Sequence, residues 1–177
     1  MSLNDLPSVI ETEVVNHAFF KIRKEVLHMQ HQEDYNYYVL ETRPFAVAII
    51  ATTPDGRFLI NREYRHPSRT ILLGAPGGST DPDEEHEACA KRELLEETGY
   101  IAKRYEKLGQ SYPYSGVCHQ QTVFYRAYDA EKIASPNLDH AEFIETVLYT
   151  KEELQKAIKE NPVDGILLAG LYFASIC

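Results

Sequence analysis

Three glutamates, Glu93, Glu96 and Glu97, lie within the run R-E-L-L-E-E-T-G. A helix advances about 100° per residue, so positions i, i+3 and i+4 share one face. Like charges grouped this way destabilise a helix by roughly 0.2–0.5 kcal/mol per pair. A surface that only had to be wet would alternate its signs. Three carboxylates on one face instead supply the hard oxygen ligands that Mg²⁺, Mn²⁺ or Ca²⁺ prefers. Mg²⁺ typically takes one or two carboxylates, keeps waters and binds phosphate oxygens of a substrate. Gly77 and Gly78 precede the run and allow close backbone approach, with carbonyls that can also ligate metal. The plainer alternative is a solvated acidic face on which Arg92 pairs locally.

The charge is not spread evenly along the chain. Eight acids and two bases fall within residues 81–97, so this stretch holds −6 of the chain's net −9. An acidic chain lacks the basic face with which duplex nucleic acid is bound, and no nucleic-acid partner is expected. The longest apolar stretches, Phe45–Ala51 and Gly165–Cys177, fall short of the ~20 residues needed to span a bilayer. The N-terminus shows no signal-peptide pattern. Cys89, Cys118 and Cys177 are odd in number without C-x-x-C spacing, which points to reduced thiols and a cytoplasmic location. Cys89 is expected to be a small buried filler. His86-Glu87 is not H-E-x-x-H, and neither a P-loop nor a G-x-G-x-x-G is present.

The elements that must carry these residues can be read from pattern. The length, 177 residues, suits one domain with a small N-terminal extension. Residues 1–40 form a β-rich extension with strand-prone runs at Val14-Val15, Phe19–Ile22 and Tyr35–Leu40, and residues 41–177 form the main domain. Phe45–Thr52 reads as a buried strand. Pro54-Asp55-Gly56 reads as a turn, and Arg57–Tyr64 as the second strand of a hairpin. Gly74, Gly77 and Gly78 are expected to break regular structure. Asp81–Thr98 reads as a helix with Pro82 in its first turn and Gly99 as its stop. Thr122–Tyr128 and Phe143–Tyr149 are further strands. Thr150–Glu153 is a capping box opening a helix to about Glu160, and residues 164–175 form a last, mostly buried helix. Strands interspersed with a few helices imply an α/β or α+β domain.

From Gly78 the chain resembles the Nudix box, G-x5-E-x7-R-E-U-x-E-E-x-G-U with U aliphatic. Gly78, Glu84, Arg92, Glu93, Leu94, Glu96, Glu97 and Gly99 match, and Tyr100 departs by being aromatic. The resemblance implies an α/β/α sandwich around a mixed sheet, here with the N-terminal β extension. It implies that Glu93, Glu96 and Glu97, with the Gly78 carbonyl, bind catalytic divalent metal, Mg²⁺ or Mn²⁺. Arg92 would orient a box glutamate, while Glu84 and Gly99 would be structural. The implied reaction is hydrolysis of a nucleoside diphosphate linked to another group.

The flanks resemble the branch that cleaves ADP-ribose and nucleoside diphosphate sugars. Arg62–Pro67 resembles its segment before the box, Ala141–Glu145 its acidic loop after it, and Gly165–Tyr172 its terminal helix. This chain has Leu73-Gly74-Ala75-Pro76-Gly77-Gly78 where the branch has Glu-x-Pro-Ala-Gly, and Ser115-Gly116 where it has Pro-Gly. A nucleoside diphosphate sugar hydrolase is therefore favoured, with or without ADP-ribose as a substrate. Arg65 and Arg43 are candidate contacts for the diphosphate or distal sugar, since a guanidinium forks onto phosphate oxygens. Tyr64 is a candidate to stack on the base or to pack the core. Glu142 is the candidate general base, with Asp139 competing. The N-terminal segment is where the branch builds a homodimer, the alternative being a simple edge hairpin. Rival functions are a nucleoside triphosphate pyrophosphatase, for which Pro76-Gly77-Gly78 is also common, a non-catalytic nucleotide sensor, and an RNA-cap hydrolase.

Overall fold

Alternating and β-branched residues near the N-terminus form an antiparallel meander. The computed structural model describes residues 8–17, 20–140 and 142–176. Phe19, Ala141 and Cys177, each part of a pattern noted above, lie outside the described residues. In chain order the strands are β1 (Ser8–His17), β2 (Phe20–His28), β3 (Tyr35–Glu41), β4 (Phe45–Ala51), β5 (Phe58–Arg65), β6 (Thr70–Gly74), β7 (Tyr100–Ile101), β8 (Arg104–Ser111), β9 (Gln121–Tyr128), β10 (Glu131–Lys132) and β11 (Ile144–Tyr149). The helices are α1 (His86–Thr98), α2 (Lys151–Glu160) and α3 (Gly165–Phe173). The chain divides into two compact units, residues 1–44 with 114–120, and residues 45–113 with 121–177.

In the first unit β1, β2 and β3 pair in sequence order, all antiparallel. The 114–120 segment is tied to β3, where Leu40 N–H donates to the Val117 carbonyl at 2.7 Å and the Tyr37 hydroxyl to that of Gly116 at 2.9 Å. Ile10, Val14, Tyr35 and Tyr38 of the meander are exposed.

The second unit carries two three-stranded sheets with helices on either side. β4 pairs in parallel with β9, whose other edge pairs antiparallel with β8. β5 lies between β11 and β6, antiparallel to both. Alternation along β4 explains the layers. Val47, Ile49 and Ala51 pack with Cys89, Ala90 and Leu94 of α1 and with Val123, Tyr125 and Ala127 of β9. Ile50 turns the other way, to Leu154 and Ala157 of α2 and Leu167 and Leu171 of α3. The unit is thus an α/β/α sandwich, as the box resemblance implies.

Three local expectations are corrected. β4 and β5 are not a hairpin. They flank the Pro54–Gly56 turn but are joined only by the Thr52–Phe58 bridge, then separate into different sheets. β4 is apolar on both faces and needs a helix layer on each, whereas β5 becomes polar after Ile60. Gly74 does not break regular structure, since it ends β6 opposite Asn61. The box helix begins at His86 rather than Asp81. Asp83 adopts a positive φ of 62°, and residues 81–84 close a turn in which Glu84 Oε2 accepts from Asp81 N–H at 2.9 Å. Pro82 sits in that turn, ahead of the helix.

The last helix spans Gly165–Phe173 but is not mostly buried, since only Leu167, Gly170 and Leu171 are buried while Leu168 and Tyr172 are exposed. Two other helix signals hold. α2 opens on a capping box, with Thr150 Oγ1 accepting from Glu153 N–H at 3.2 Å and Glu153 Oε2 from Thr150 N–H at 2.8 Å. α1 ends at Gly99, whose φ of 76° is left-handed. A Cβ there would lie 2.1 Å from the Ala134 carbonyl oxygen, so only glycine fits.

Candidate active site

The glycine loop and α1 together build an acidic cleft of about 420 Å³ in the second unit. The loop runs along the free edge of β4. Val47 N–H donates to the Gly78 carbonyl and Ile49 N–H to that of Pro76, both at 2.8 Å. This approach leaves no room for a side chain at Gly77, while Gly78 faces the Glu93 side chain. A Cβ on Gly77 would sit 2.1 Å from the Val47 carbonyl oxygen, and one on Gly78 would sit 2.4 Å from Glu93 Oε1. The Gly78 oxygen keeps its second lone pair.

Arg92 organises one side of the cleft. Its Nε and Nη2 donate to the two oxygens of Glu84, each at 2.9 Å, and its Nη1 donates to Glu93 Oε1 at 2.8 Å and Glu96 Oε2 at 2.9 Å. The Arg92 guanidinium, assisted by the Asp81 N–H, holds the Glu84 carboxyl down to about 2 against partial desolvation. The same three acids raise the guanidinium's own pKa further above its ordinary range. Arg92 Nη2 also donates to Cys89 Sγ at 3.3 Å. Cys89 is fully buried, and burial and nearby Glu84 push its thiol up to about 12. It is an unreactive filler, as expected.

Glu97 stands on the other side without a cation. Its Oε2 accepts from Asn61 Nδ2 at 2.7 Å and from Gly77 N–H at 3.1 Å. Asn61 Oδ1 in turn accepts from the Thr146 hydroxyl at 3.0 Å. Burial, then the charges of Glu93, Glu63 and Glu142, push Glu97 up to about 8 despite the Gly77 N–H. Glu93 is also raised by burial, with Arg92 pulling the other way. Glu63, half-buried on β5, is raised by burial and by Glu142 and Asp164 against the pull of Arg65.

These residues fit a divalent cation. The donors are hard oxygens, and the cleft holds more carboxylate than Arg92 can offset. Among the described residues no three acidic, histidine or cysteine side chains stand ready-made around one point. Arg92 Nη1 bridges Glu93 and Glu96, so those two acids are held by the arginine rather than by each other.

Glu93, Glu96, Glu97, Arg92, Gly78 and Glu142 all line the cleft, as does Asp139. Glu142 Oε2 accepts from Asp139 N–H at 2.8 Å, which folds the acidic loop into a turn. Glu84 and Gly99 support the helix from behind. Arg65 and Tyr64, at the end of β5, are outside the lining. Arg65 Nη1 pairs with Glu63 Oε1 at 2.7 Å, and the Tyr64 ring meets His66 and Phe143 edge-on. Arg43 belongs to the first unit, where its carbonyl accepts from Gln120 Nε2 at 3.2 Å. Pattern reading missed Asn61, Thr146 and Asn137. Asn137 lines the cleft and its N–H donates to the Glu96 carbonyl at 2.7 Å. The one available signal was polar Asn61 directly after the apolar Phe58-Leu59-Ile60.

An α/β/α sandwich with a carboxylate-lined cleft between the glycine loop and the second half of α1 defines a class of protein whose donors suit a divalent cation. Comparison with known proteins makes the class specific. Residues 42–170 match the NUDIX domain, and the chain belongs to the Nudix family. It is 31% identical over 121 residues to the ADP-ribose pyrophosphatase of Bacillus subtilis (strain 168) and to the methanol dehydrogenase activator of Bacillus methanolicus. Each match takes in 68% of this chain and 65% of the relative, so the chain spans just under two thirds of their length. A GDP-mannose pyrophosphatase of Yersinia pestis (strain Pestoides F) is 24% identical over 180 residues, 94% of this chain and 90% of that one. A solved structure described as an ADP compounds hydrolase superposes with a TM-score of 0.82 at 22% identity, covering 96% of this chain and 92% of its own. That likeness establishes the fold. No helix among the described residues is long and apolar enough to cross a membrane.

Proposed function

We propose that this protein hydrolyses the diphosphate of a nucleoside diphosphate sugar or of ADP-ribose, releasing a nucleoside monophosphate and a sugar phosphate. The observation that carries the reading is the grouping of Glu93, Glu96 and Glu97 in one cleft with more negative charge than Arg92 balances. The names of the relatives, ADP-ribose pyrophosphatase and GDP-mannose pyrophosphatase, point to the same bond.

Glu93, Glu96, Glu97 and the Gly78 carbonyl would hold a divalent cation, Mg²⁺ or Mn²⁺. When bound it neutralises charge on the diphosphate and makes a bound water more acidic. The protein supplies the rest. Arg92 holds Glu93 and Glu96 in register. Glu142, with Asp139 as the competing choice, accepts the proton of the attacking water from its loop. Arg65 contacts the diphosphate or the distal sugar, and Tyr64 packs or stacks beside it. The exposed meander residues Ile10, Val14, Tyr35 and Tyr38 support a homodimer built on the first unit, and the cysteine usage supports work in the cytoplasm.

A hydrolysis panel with Mg²⁺ or Mn²⁺ and product identification tests the reading. It should include ADP-ribose, GDP-mannose, UDP-glucose, nucleoside triphosphates and a dinucleoside polyphosphate. A nucleoside monophosphate plus a sugar phosphate is the expected pair of products. Turnover of triphosphates alone, or nucleotide binding without turnover, would overturn it. Light scattering at micromolar concentration should give twice the 20.2 kDa chain mass, and a monomer mass would overturn the dimer.

A further inference from the structure

We propose that Asn61 is the positioning residue for Glu97, fixing its carboxylate so that the cleft can take up a divalent cation. The inference rests on the reading that Glu97 is a cation ligand.

Asn61 occupies a place that packing alone would give to an apolar residue. It is 1% exposed, and it lies two residues after Leu59 on β5, on the face that packs with α1. A primary amide there is costly unless both its ends are bonded. Both are. Nδ2 donates to Glu97 Oε2, and Oδ1 accepts from Thr146, which stands directly opposite on β11. The Asn61 backbone lies in the middle strand of its sheet, paired with Thr146 on one side and Gly74 on the other. The amide is therefore presented from a rigid support.

The kind of donor matters. Asn61 and Gly77 N–H place two neutral donors on one oxygen, and no Lys or Arg pairs with Glu97 among the described residues. Neutral donors orient a carboxylate without cancelling its charge. An arginine in the same place would offset part of that charge, as Arg92 does for Glu84, Glu93 and Glu96. Partners that orient a metal-binding side chain in this way are typically worth about 10–100-fold in metal affinity.

The test is Mn²⁺ binding to the purified protein, read as loss of the free-Mn²⁺ electron paramagnetic resonance signal. Melting in chelator is measured in parallel. Asn61→Leu removes the donor at similar volume. The expected result is an Mn²⁺ Kd raised about tenfold or more, with the variant still folding cooperatively in chelator. A Kd within twofold of wild type would overturn the proposal, because a merely structural amide would lower the melting temperature and leave Mn²⁺ affinity alone. Thr146→Val loosens Asn61 without touching Glu97 and should raise the Kd by a smaller factor, about threefold. That variant decides the matter if Asn61→Leu does not fold, and an unchanged Kd then overturns the proposal. Wild-type protein that binds no Mn²⁺ would overturn the cation reading itself, and this inference with it.

Discussion

Glu84 and Glu97 belong to the same motif, one in the turn before α1 and one near the end of that helix, yet their surroundings treat them oppositely. Glu84 receives a two-pronged guanidinium and is held ionised down to about 2. Glu97 receives two neutral donors in a buried setting and is pushed up to about 8. Glu84 is already satisfied, so its charge holds Arg92 in place. Glu97 is oriented but not neutralised, so its charge is left for something the chain does not supply. The comparison separates an acid paired by an arginine from one that the proposed function assigns to a cation, and sequence spacing alone cannot make that distinction.

The largest expected effect is at the working acid. Glu97→Gln should lower kcat/KM by at least 100-fold, and Glu96→Gln should do likewise. A variant keeping more than about a tenth of wild-type kcat/KM, a loss under ~1.4 kcal/mol, would remove that residue from the cation site. The same Glu97 substitution should act in the opposite direction on stability. A buried acid with a raised pKa favours the folded state when protonated. Its contribution is whole below the ordinary 4.5 and is lost as pH rises through about 8. Metal-free wild-type protein should therefore lose stability across that window, by at most about 1.4 kcal/mol per pH unit, read as a falling melting temperature. Glu97→Gln should flatten the loss, and so should added Mg²⁺ on the wild type. Parallel pH profiles for wild type and variant would break the comparison at its Glu97 end.

Arg92→Ala comes next, because it affects both kinds of acid. It strips the partner from Glu84, Glu93 and Glu96 together, with the guanidinium about 30% exposed. Removing one member of a largely desolvated ion pair costs about 3 kcal/mol, and partial exposure should bring this nearer 2. Activity should fall about 10–100-fold as Glu93 and Glu96 lose register. Unchanged kinetics and melting would show that the network does not hold the site. Gly78→Ala sharpens the same point with less damage. A Cβ there displaces only the end of the Glu93 side chain. Activity should drop about tenfold while stability changes by under ~0.5 kcal/mol. A large loss of melting temperature would mean that the loop itself had moved.

Much of this was legible in the sequence. The box spacing placed the three glutamates, the arginine and the glycine stop, because a helix converts spacing into a face regardless of context. The capping box at Thr150 was equally local. What failed depended on distant partners. The turn at Pro54–Gly56 is real, but β4 leaves β5 because β9 offers it a parallel edge and two helix layers. The helix starts late, at His86, because Asp83 takes a positive φ and Glu84 is committed to Arg92 and the Asp81 N–H. Asn61 and Thr146 were missed because their importance lies in a cross-strand pair facing α1, and the local sequence offers only the polar break at Asn61 after an apolar run. The pairing of Arg65 with Glu63 was likewise not legible, because it depends on how the end of β5 orients the two side chains.

The smallest effect is expected at Glu84→Gln, and it completes the comparison. The substitution keeps the shape and one hydrogen-bond acceptor but removes the charge that anchors Arg92. A hydrogen bond to a charged group contributes about 1.5–3 kcal/mol, and one of the two retained as a weaker bond should limit the loss to about 1 kcal/mol. Its pH dependence has the opposite sign to that of Glu97. An acid with a lowered pKa stabilises the folded state when ionised, so its contribution is whole above 4.5 and is lost as pH falls through about 2. Glu84→Gln should therefore reduce melting at pH 6 and leave the variant less sensitive than wild type to further acid, with kcat/KM down only a few-fold. If Glu84→Gln instead abolished turnover with normal melting, Glu84 would be a working acid and its division from Glu97 would fail.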